Sequence, residues 1–138
     1  MKVHGACLCG DIKFTAEVDE QTARICHCTD CQINSASAFG TVVTLMPGTF
    51  KMQSGELSTY IKTADSGAKR ALTFCGRCGT RIYSSPAQGE GITGLRIGCL
   101  EERNMLPPKL QYWCDSALDW AKGAHDLPSY PKAPSPVK

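Results

Sequence analysis

The sequence predicts a mainly β fold of antiparallel sheets with short helices. Three observations predict it. Apolar residues alternate with period two in several short runs. Clusters of Gly, Pro, Ser and Asp separate those runs. Seven of nine cysteines fall in tight groups suited to turns. Alternation marks half-buried strands, because successive side chains point to opposite faces.

Taken in order, Ile12, Phe14, Ala16 and Val18 form one face of a strand. Val42-Val43-Thr44-Leu45 is rich in β-branched residues, which suit a pleated surface. Leu57, Thr59 and Ile61 alternate in the same way, as do Leu72 with Phe74, Leu95 with Ile97, and Leu110 with Tyr112. Met46-Pro47-Gly48-Thr49 and Thr63-Ala64-Asp65-Ser66-Gly67 supply turns between runs. Helix is expected only over 29–36, capped by Thr29, and over 117–122. Beyond Leu127, prolines at 128, 131, 134 and 136 preclude a packed helix and leave extended or loose chain. The only internal likeness is that of the cysteine turns to one another.

A chain of 138 residues suits one domain, 1–138, with a core over about 3–127 and a Pro-rich tail over 128–138. The hydrophobic fraction of 42% supports a modest core. No apolar run approaches the ~18 residues of a membrane span. Met-Lys-Val-His-Gly carries no apolar stretch of a secretory signal, so a cytoplasmic location is expected. A formal charge of +2 is too small to suggest a nucleic-acid surface.

In a reducing compartment structural disulfides are rare, and an odd number of cysteines cannot all pair. The groups are Cys7-x-Cys9, Cys26-x-Cys28-x2-Cys31 and Cys75-x2-Cys78, with Cys99 and Cys114 alone. The first and third end in Cys-Gly, at Gly10 and Gly79. Glycine permits the positive φ that turns backbone amides toward a metal-bound sulfur. Together Cys7, Cys9, Cys75 and Cys78 match a closed tetrahedral zinc site. The bland alternative makes Cys7 and Cys9 buried apolar residues.

Cys26, Cys28 and Cys31 lack the glycine and supply three sulfurs from one segment. Three protein ligands with a fourth position open is the arrangement of catalytic zinc. His27 sits between two of them in extended chain, so its side chain points the other way and reads as a wall of the site. Cys99 continues the Leu95–Ile97 face and reads as core. Cys114 follows Tyr112-Trp113 and also reads as packed. Redox chemistry at Cys28-x2-Cys31 is an alternative, but the third sulfur favours metal. Seven thiolates and two divalent ions would take the formal charge from +2 to −1, which argues further against nucleic acid.

Gly5-Ala6-Cys7-Leu8-Cys9-Gly10, Cys26-His27-Cys28-x2-Cys31 and Phe74-Cys75-x2-Cys78-Gly79-Thr80 together resemble the glutathione-dependent formaldehyde-activating enzyme (GFA) family. Ser35-Ala36-Ser37-Ala38-Phe39 looks like that family's Ser-Gly-Ser-x-Phe, with Ala36 for glycine. Trp120 and Asp126-Leu127-Pro128 look like its closing motif, so the resemblance spans roughly 3–134. It implies an Mss4-like, tent-shaped (β-tent) fold with two zinc ions per chain. Cys7, Cys9, Cys75 and Cys78 match its structural ligands, and Cys26, Cys28 and Cys31 its catalytic ones. The chain departs from the family at Leu8, where histidine is common, at Ala36, and at Cys114.

The activity so implied is reversible addition of glutathione, or a similar small thiol, to a small aldehyde such as formaldehyde, by a carbon–sulfur lyase. His27 and Asp30 are candidate proton carriers, and Asp30 equally suits the start of a helix. The competing class is a non-catalytic, zinc-stabilised Mss4-like binding module. Such a module would be expected to carry a basic tail, whereas residues 128–138 hold only Lys132 and Lys138.

The two cysteine sets predict different mutant behaviour. The four-cysteine set closes a loop of about 70 residues, and the three-cysteine set closes almost none. Cys75→Ser should therefore cost solubility or much of the stability, since metal binding in such sites is coupled to folding. Cys31→Ser should stay folded and lose about one zinc per chain. Paired thermal melts and zinc counts check both outcomes.

Overall fold

One long strand, β2 (Lys13–Cys26), organises the sheet by pairing with four neighbours along its length. The computed structural model describes residues 1–133. Before β2 comes β1 (Lys2–Ala6). After it come α1 (Thr29–Ser35), β3 (Gly40–Leu45), β4 (Lys51–Ser54), β5 (Leu57–Thr63), β6 (Lys69–Cys75), β7 (Arg81–Pro86), β8 (Gly94–Arg96) and β9 (Leu110–Tyr112). Short 3-10 turns span Ile97–Cys99, Glu101–Met105, Cys114–Ser116 and Asp119–Asp126.

The first half of β2 pairs antiparallel with β1 and with β4. Its register against β3 then shifts between Asp19 and Arg24. Such a bulge bends a strand. The last residues, Arg24 to Cys26, lie between β3 and the parallel strand β9. From β3 the sheet continues antiparallel through β8, β7 and β6 to β5. The fold is thus mainly antiparallel β, as the alternation predicts.

The core forms on one face. Ile12, just before β2, and Phe14, Ala16 and Val18 on it are all at most 2% exposed, so the predicted face is the buried one. Val3, Val43, Ile82, Leu95, Leu100 and Leu106 complete it. Phe14 stacks on Phe50 at 4.7 Å, and Phe50 meets Tyr83 edge-on at 5.2 Å. No helix among the described residues is long and apolar enough to cross a membrane.

Several expectations are corrected. In β6 the buried residues are Thr73 and Cys75, not Leu72 and Phe74. Cys75 must reach the cysteines of the β1–β2 loop, and period two then turns Thr73 inward as well. Phe74 lies on the other face under the Arg81 guanidinium, 4.9 Å from its ring centre. Leu57 packs against the core, but Ile61 is half exposed, because β5 is the last strand of its sheet. β9 forms as expected, yet Leu110 and Tyr112 are substantially exposed. The strands β1, β4 and β7 had no alternation strong enough to mark them.

Among the helices, α1 is as expected, but Cys28 rather than Thr29 is its N-cap. Cys28 has extended φ/ψ, and its sulfur accepts from the Cys31 amide at 3.2 Å. In place of the expected helix over 117–122 the chain forms the 3-10 turn Asp119–Asp126, which starts two residues later and buries no residue. Without an apolar face to pack, a short helix has little to hold it. Residues 127–133 are irregular and exposed, and Pro134 and Pro136 lie outside the described residues.

α1 ends at Ala36, held left-handed at φ 50°, ψ 42°, with its amide bonded to the Gln32 and Ile33 carbonyls. A Cβ makes that conformation cost roughly 1–2 kcal/mol, while glycine adds about 0.5–1 kcal/mol of unfolded-state entropy. Ala36→Gly is therefore expected to stabilise the protein by about 0.5–1 kcal/mol. Denaturant titration at fixed metal loading checks it.

Candidate metal centres

The β1–β2 loop and the β6–β7 turn bring together the sulfurs of Cys7, Cys9, Cys75 and Cys78, all within 4.8 Å of one another. The turns fold as the glycines require: Gly10 has φ 80° and Gly79 φ 82°. Each turn closes on its first cysteine, with Gly10 N–H donating to Cys7 O and Gly79 N–H to Cys75 O. The turns are also tied to each other, as the Leu8 amide donates to Thr80 Oγ1 at 3.0 Å. Leu8 itself is 89% exposed, so leucine in place of histidine leaves the cluster untouched.

The sulfur spacing fits a tetrahedral ion. Zinc–sulfur bonds of about 2.3 Å set sulfurs about 3.8 Å apart. The observed separations are 3.5 Å for Cys7–Cys9 and 3.9 Å for Cys9–Cys75. The thiols also differ in acidity. The Thr80 hydroxyl and amide hold Cys78 down to about 5. Burial opposes ionisation of Cys7, but the Ile12 amide, 3.1 Å from its sulfur, holds it below the ordinary thiol range. The Asp11 amide favours the Cys9 thiolate, yet desolvation and the neighbouring sulfurs push Cys9 up to about 11. Negative sulfurs this close repel, so a cation is needed for all four to be thiolates at once. The group could hold a metal ion.

Cys26 at the end of β2, Cys28 at the helix cap and Cys31 in α1 form the second group, with sulfurs also within 4.8 Å. All three are half-buried. Among the described residues no fourth His, Cys, Asp or Glu joins them. Burial pushes Cys31 up to about 12 even though the Arg96 guanidinium stands 3.9 Å from its sulfur, and burial raises Cys26 as well. Arg96 also donates to Asn34 Oδ1 at 3.2 Å, and Arg81 donates to the Asn34 carbonyl at 3.1 Å. Lys62 of β5 pairs with Asp30. These bonds fix α1 on the face of the sheet away from the core. Gly40 makes the approach possible, because a Cβ there would strike the Arg96 guanidinium. Arg96 and Gly40 were not identified from sequence. The one available signal was a lone cation between Leu95 and Ile97.

His27 is not part of the sulfur cluster. Its ring is 95% buried against the edge of Phe39, and Nε2 lies 2.7 Å from Gln111 Oε1. Its backbone is the clamp: the carbonyl accepts from Gln32 Nε2 and Ser116 Oγ, and the amide donates to Tyr112 O. Gln32 Nε2 also reaches Ser116 O. Residues 111–116 are thereby held beside the three cysteines. Cys99 packs against the core, as expected, with its thiol on Arg96 O at 3.2 Å. Cys114, expected to be packed, is exposed. Trp113 before it adopts a left-handed φ of 58°, and the 3-10 turn Cys114–Ser116 turns the side chain out of the sheet.

A family model described as glutathione-dependent formaldehyde-activating enzyme matches residues 2–116. The match contains all seven grouped cysteines and stops short of Trp120 and Asp126-Leu127-Pro128. Curated proteins give no significant match. Among solved structures, a Rhodobacter sphaeroides protein is similar, with a TM-score of 0.59 and 22% identity over 80% of this chain and 99% of that one. At that identity the likeness speaks for the fold.

The two ungrouped cysteines should react differently. Burial pushes Cys99 up to about 12, so it stays a protonated thiol at neutral pH and gains thiolate only toward strongly alkaline pH. In metal-loaded protein, iodoacetamide at pH 7.5 is expected to label Cys114 first and to leave Cys99 unmodified. Peptide mapping by mass spectrometry reads the outcome.

Proposed function

The chain belongs to the glutathione-dependent formaldehyde-activating enzyme family, and from that premise we propose that it adds a glutathione-like thiol reversibly to a small aldehyde such as formaldehyde, as a carbon–sulfur lyase. In this reading Cys26, Cys28 and Cys31 hold the catalytic zinc. Cys7, Cys9, Cys75 and Cys78 hold a second, structural one. The observation that carries it is the division of seven thiols into a set of four, complete for a tetrahedral ion, and a set of three that no fourth such ligand joins among the described residues. A structural site needs no vacancy, whereas a thiol substrate does.

When bound, zinc at the three-cysteine site would offer a coordination position to a substrate sulfur and favour its thiolate form. The chain's own part is to bind and orient. Arg96 places a positive charge beside Cys31, where negative sulfur accumulates. The short loop from Cys26 to Cys31 is braced by Gln32 and Ser116, so its three sulfurs do not have to be gathered anew for each substrate. The reaction forms one C–S bond. The thiol gives up its proton, and the carbonyl oxygen gains one as it becomes a hydroxyl. Asp30 is engaged by Lys62 and His27 by Gln111, so solvent at the half-exposed site is the proton carrier. Thiols add to formaldehyde readily without help, so thiolate supply and proximity are sufficient catalysis.

Zinc-loaded protein should accelerate hemithioacetal formation from glutathione and formaldehyde, and Cys28→Ser and Cys31→Ser should lose the acceleration while remaining folded. Calorimetry in buffers of different ionisation enthalpy should show a proton released when a small thiol binds. No acceleration, together with no thiol binding at millimolar concentration, would favour the non-catalytic binding module.

A further inference from the structure

Among the described residues, Arg96 is the one cationic side chain that bonds a sulfur of the three-cysteine group. It stands on β8 opposite Val42 of β3, while Gly40, two residues earlier on β3, stands opposite Cys26 of β2. Period two puts Cys26, Gly40 and Arg96 on one face. The guanidinium crosses β3 above Gly40, where a Cβ would strike Nη1 and come within 3.5 Å of Cys31 Sγ. Nη1 ends 3.9 Å from that sulfur, and Nη2 donates to Asn34 Oδ1 at 3.2 Å. Among the described residues, no acidic group forms a salt bridge with Arg96, so the sulfurs are its counter-charge.

The four-cysteine cluster is supported differently. Its sulfurs are met by neutral groups, the Ile12 amide at 3.1 Å from Cys7 and the Thr80 hydroxyl at 3.3 Å from Cys78. The contrast follows the charge that each set must manage. Three thiolates around a divalent ion leave one net negative charge, and a fourth thiolate leaves two. In the four-cysteine set the chain itself tethers the fourth sulfur, and folding brings it in. In the three-cysteine set a fourth sulfur comes from solution toward a site that is already negative. Like charges at close range resist that approach, and a cation beside Cys31 offsets the repulsion. Arginine suits the task because its guanidinium stays charged throughout the working pH range. A neutral ligand meets no such repulsion and gains little from the cation.

We propose that Arg96 determines the ligand specificity of the three-cysteine site, favouring an anionic sulfur over a neutral nitrogen or oxygen donor as the ligand that completes it. The inference rests on the thiol reading above. It assigns the discrimination to charge at the sulfur itself, so it holds for a thiol that carries no other charge.

The test uses full-length protein loaded with cobalt(II), whose sulfur-to-metal charge-transfer band grows with each thiolate bound. Two probes are titrated at one fixed pH: 2-mercaptoethanol, charged only when its sulfur ionises, and imidazole, a neutral donor. Arg96→Gln should weaken mercaptoethanol about tenfold and leave imidazole unchanged. Arg96→Lys, which keeps the charge, should retain much of the thiol affinity. Asn34→Ala removes the hydrogen bond from Arg96 to α1 but keeps the guanidinium, and should bind the thiol as the unmodified protein does. If Arg96→Gln fails to fold, Gly40→Ala serves instead, since its Cβ meets only the movable end of the Arg96 side chain and should displace it from Cys31 with the same selective loss. Unchanged thiol affinity in these Arg96 and Gly40 variants would overturn the proposal. So would equal loss of thiol and imidazole, or a loss in Asn34→Ala as large as in Arg96→Gln, because Arg96 would then act only by holding the helix. Arg96-dependent thiol binding without acceleration of glutathione–formaldehyde addition would retire the catalytic reading and leave the role of Arg96 standing. Absence of thiol binding in the unmodified protein would overturn both.

Discussion

The rest of the structure depends on four sulfurs being drawn to one point. Cys9 and Cys75 are 66 positions apart in sequence and 3.9 Å apart at sulfur. Closing a loop of that length is costly in chain entropy, and a cluster of strong bonds is an efficient way to offset it in a small domain. The cluster does not stabilise itself. Crowded sulfurs repel when ionised, which is visible in the spread between Cys78, held down to about 5, and Cys9, pushed up to about 11. A divalent cation would remove the conflict. It would also explain why two Cys-Gly turns from opposite ends of the sheet are tied together by the Leu8–Thr80 bond.

That constraint accounts for what was legible in sequence and what was not. The division of the cysteines was legible, because a glycine after a cysteine has a local backbone meaning, and Gly10 and Gly79 both adopt it. The inner face of β2 was legible too, since four consecutive alternate positions are apolar and nothing overrides them. The phase of β6 was not. Leu72 and Phe74 are more apolar than Thr73, but Cys75 is fixed inward by the cluster and decides the facing of the strand it ends. β1 and β4 owe their pairing to β2 rather than to their own patterns. Arg96 and Gly40 were illegible for another reason. Their meaning lies in which strands are neighbours, and strand order is a property of the whole sheet.

The sheet keeps its two tasks on opposite faces. The apolar side chains of β2, β3 and β8 face the core, while Cys26, Arg96 and α1 lie on the other side. α1 buries no residue of its own, so it is held by polar contacts to Arg81, Arg96 and Lys62. Such contacts are individually weak at a surface. Several of them acting on seven residues position a helix without sealing it from solvent.

The same division explains why the three-cysteine group is built from adjacent residues. A group whose sulfurs are only half-buried cannot rely on burial for its geometry, as Cys7 and Cys75 do. It relies on short covalent distance instead, with Cys28 doubling as ligand candidate and helix cap, and with the buried ring of His27 anchoring the strand behind it. His27 Nδ1 is buried without a partner, a cost accepted to pack that ring against Phe39. Local construction frees the site from the closure that holds the fold. In the function proposed above, the four-cysteine cluster would then hold its ion permanently, while the three-cysteine loop would be free to exchange what occupies it.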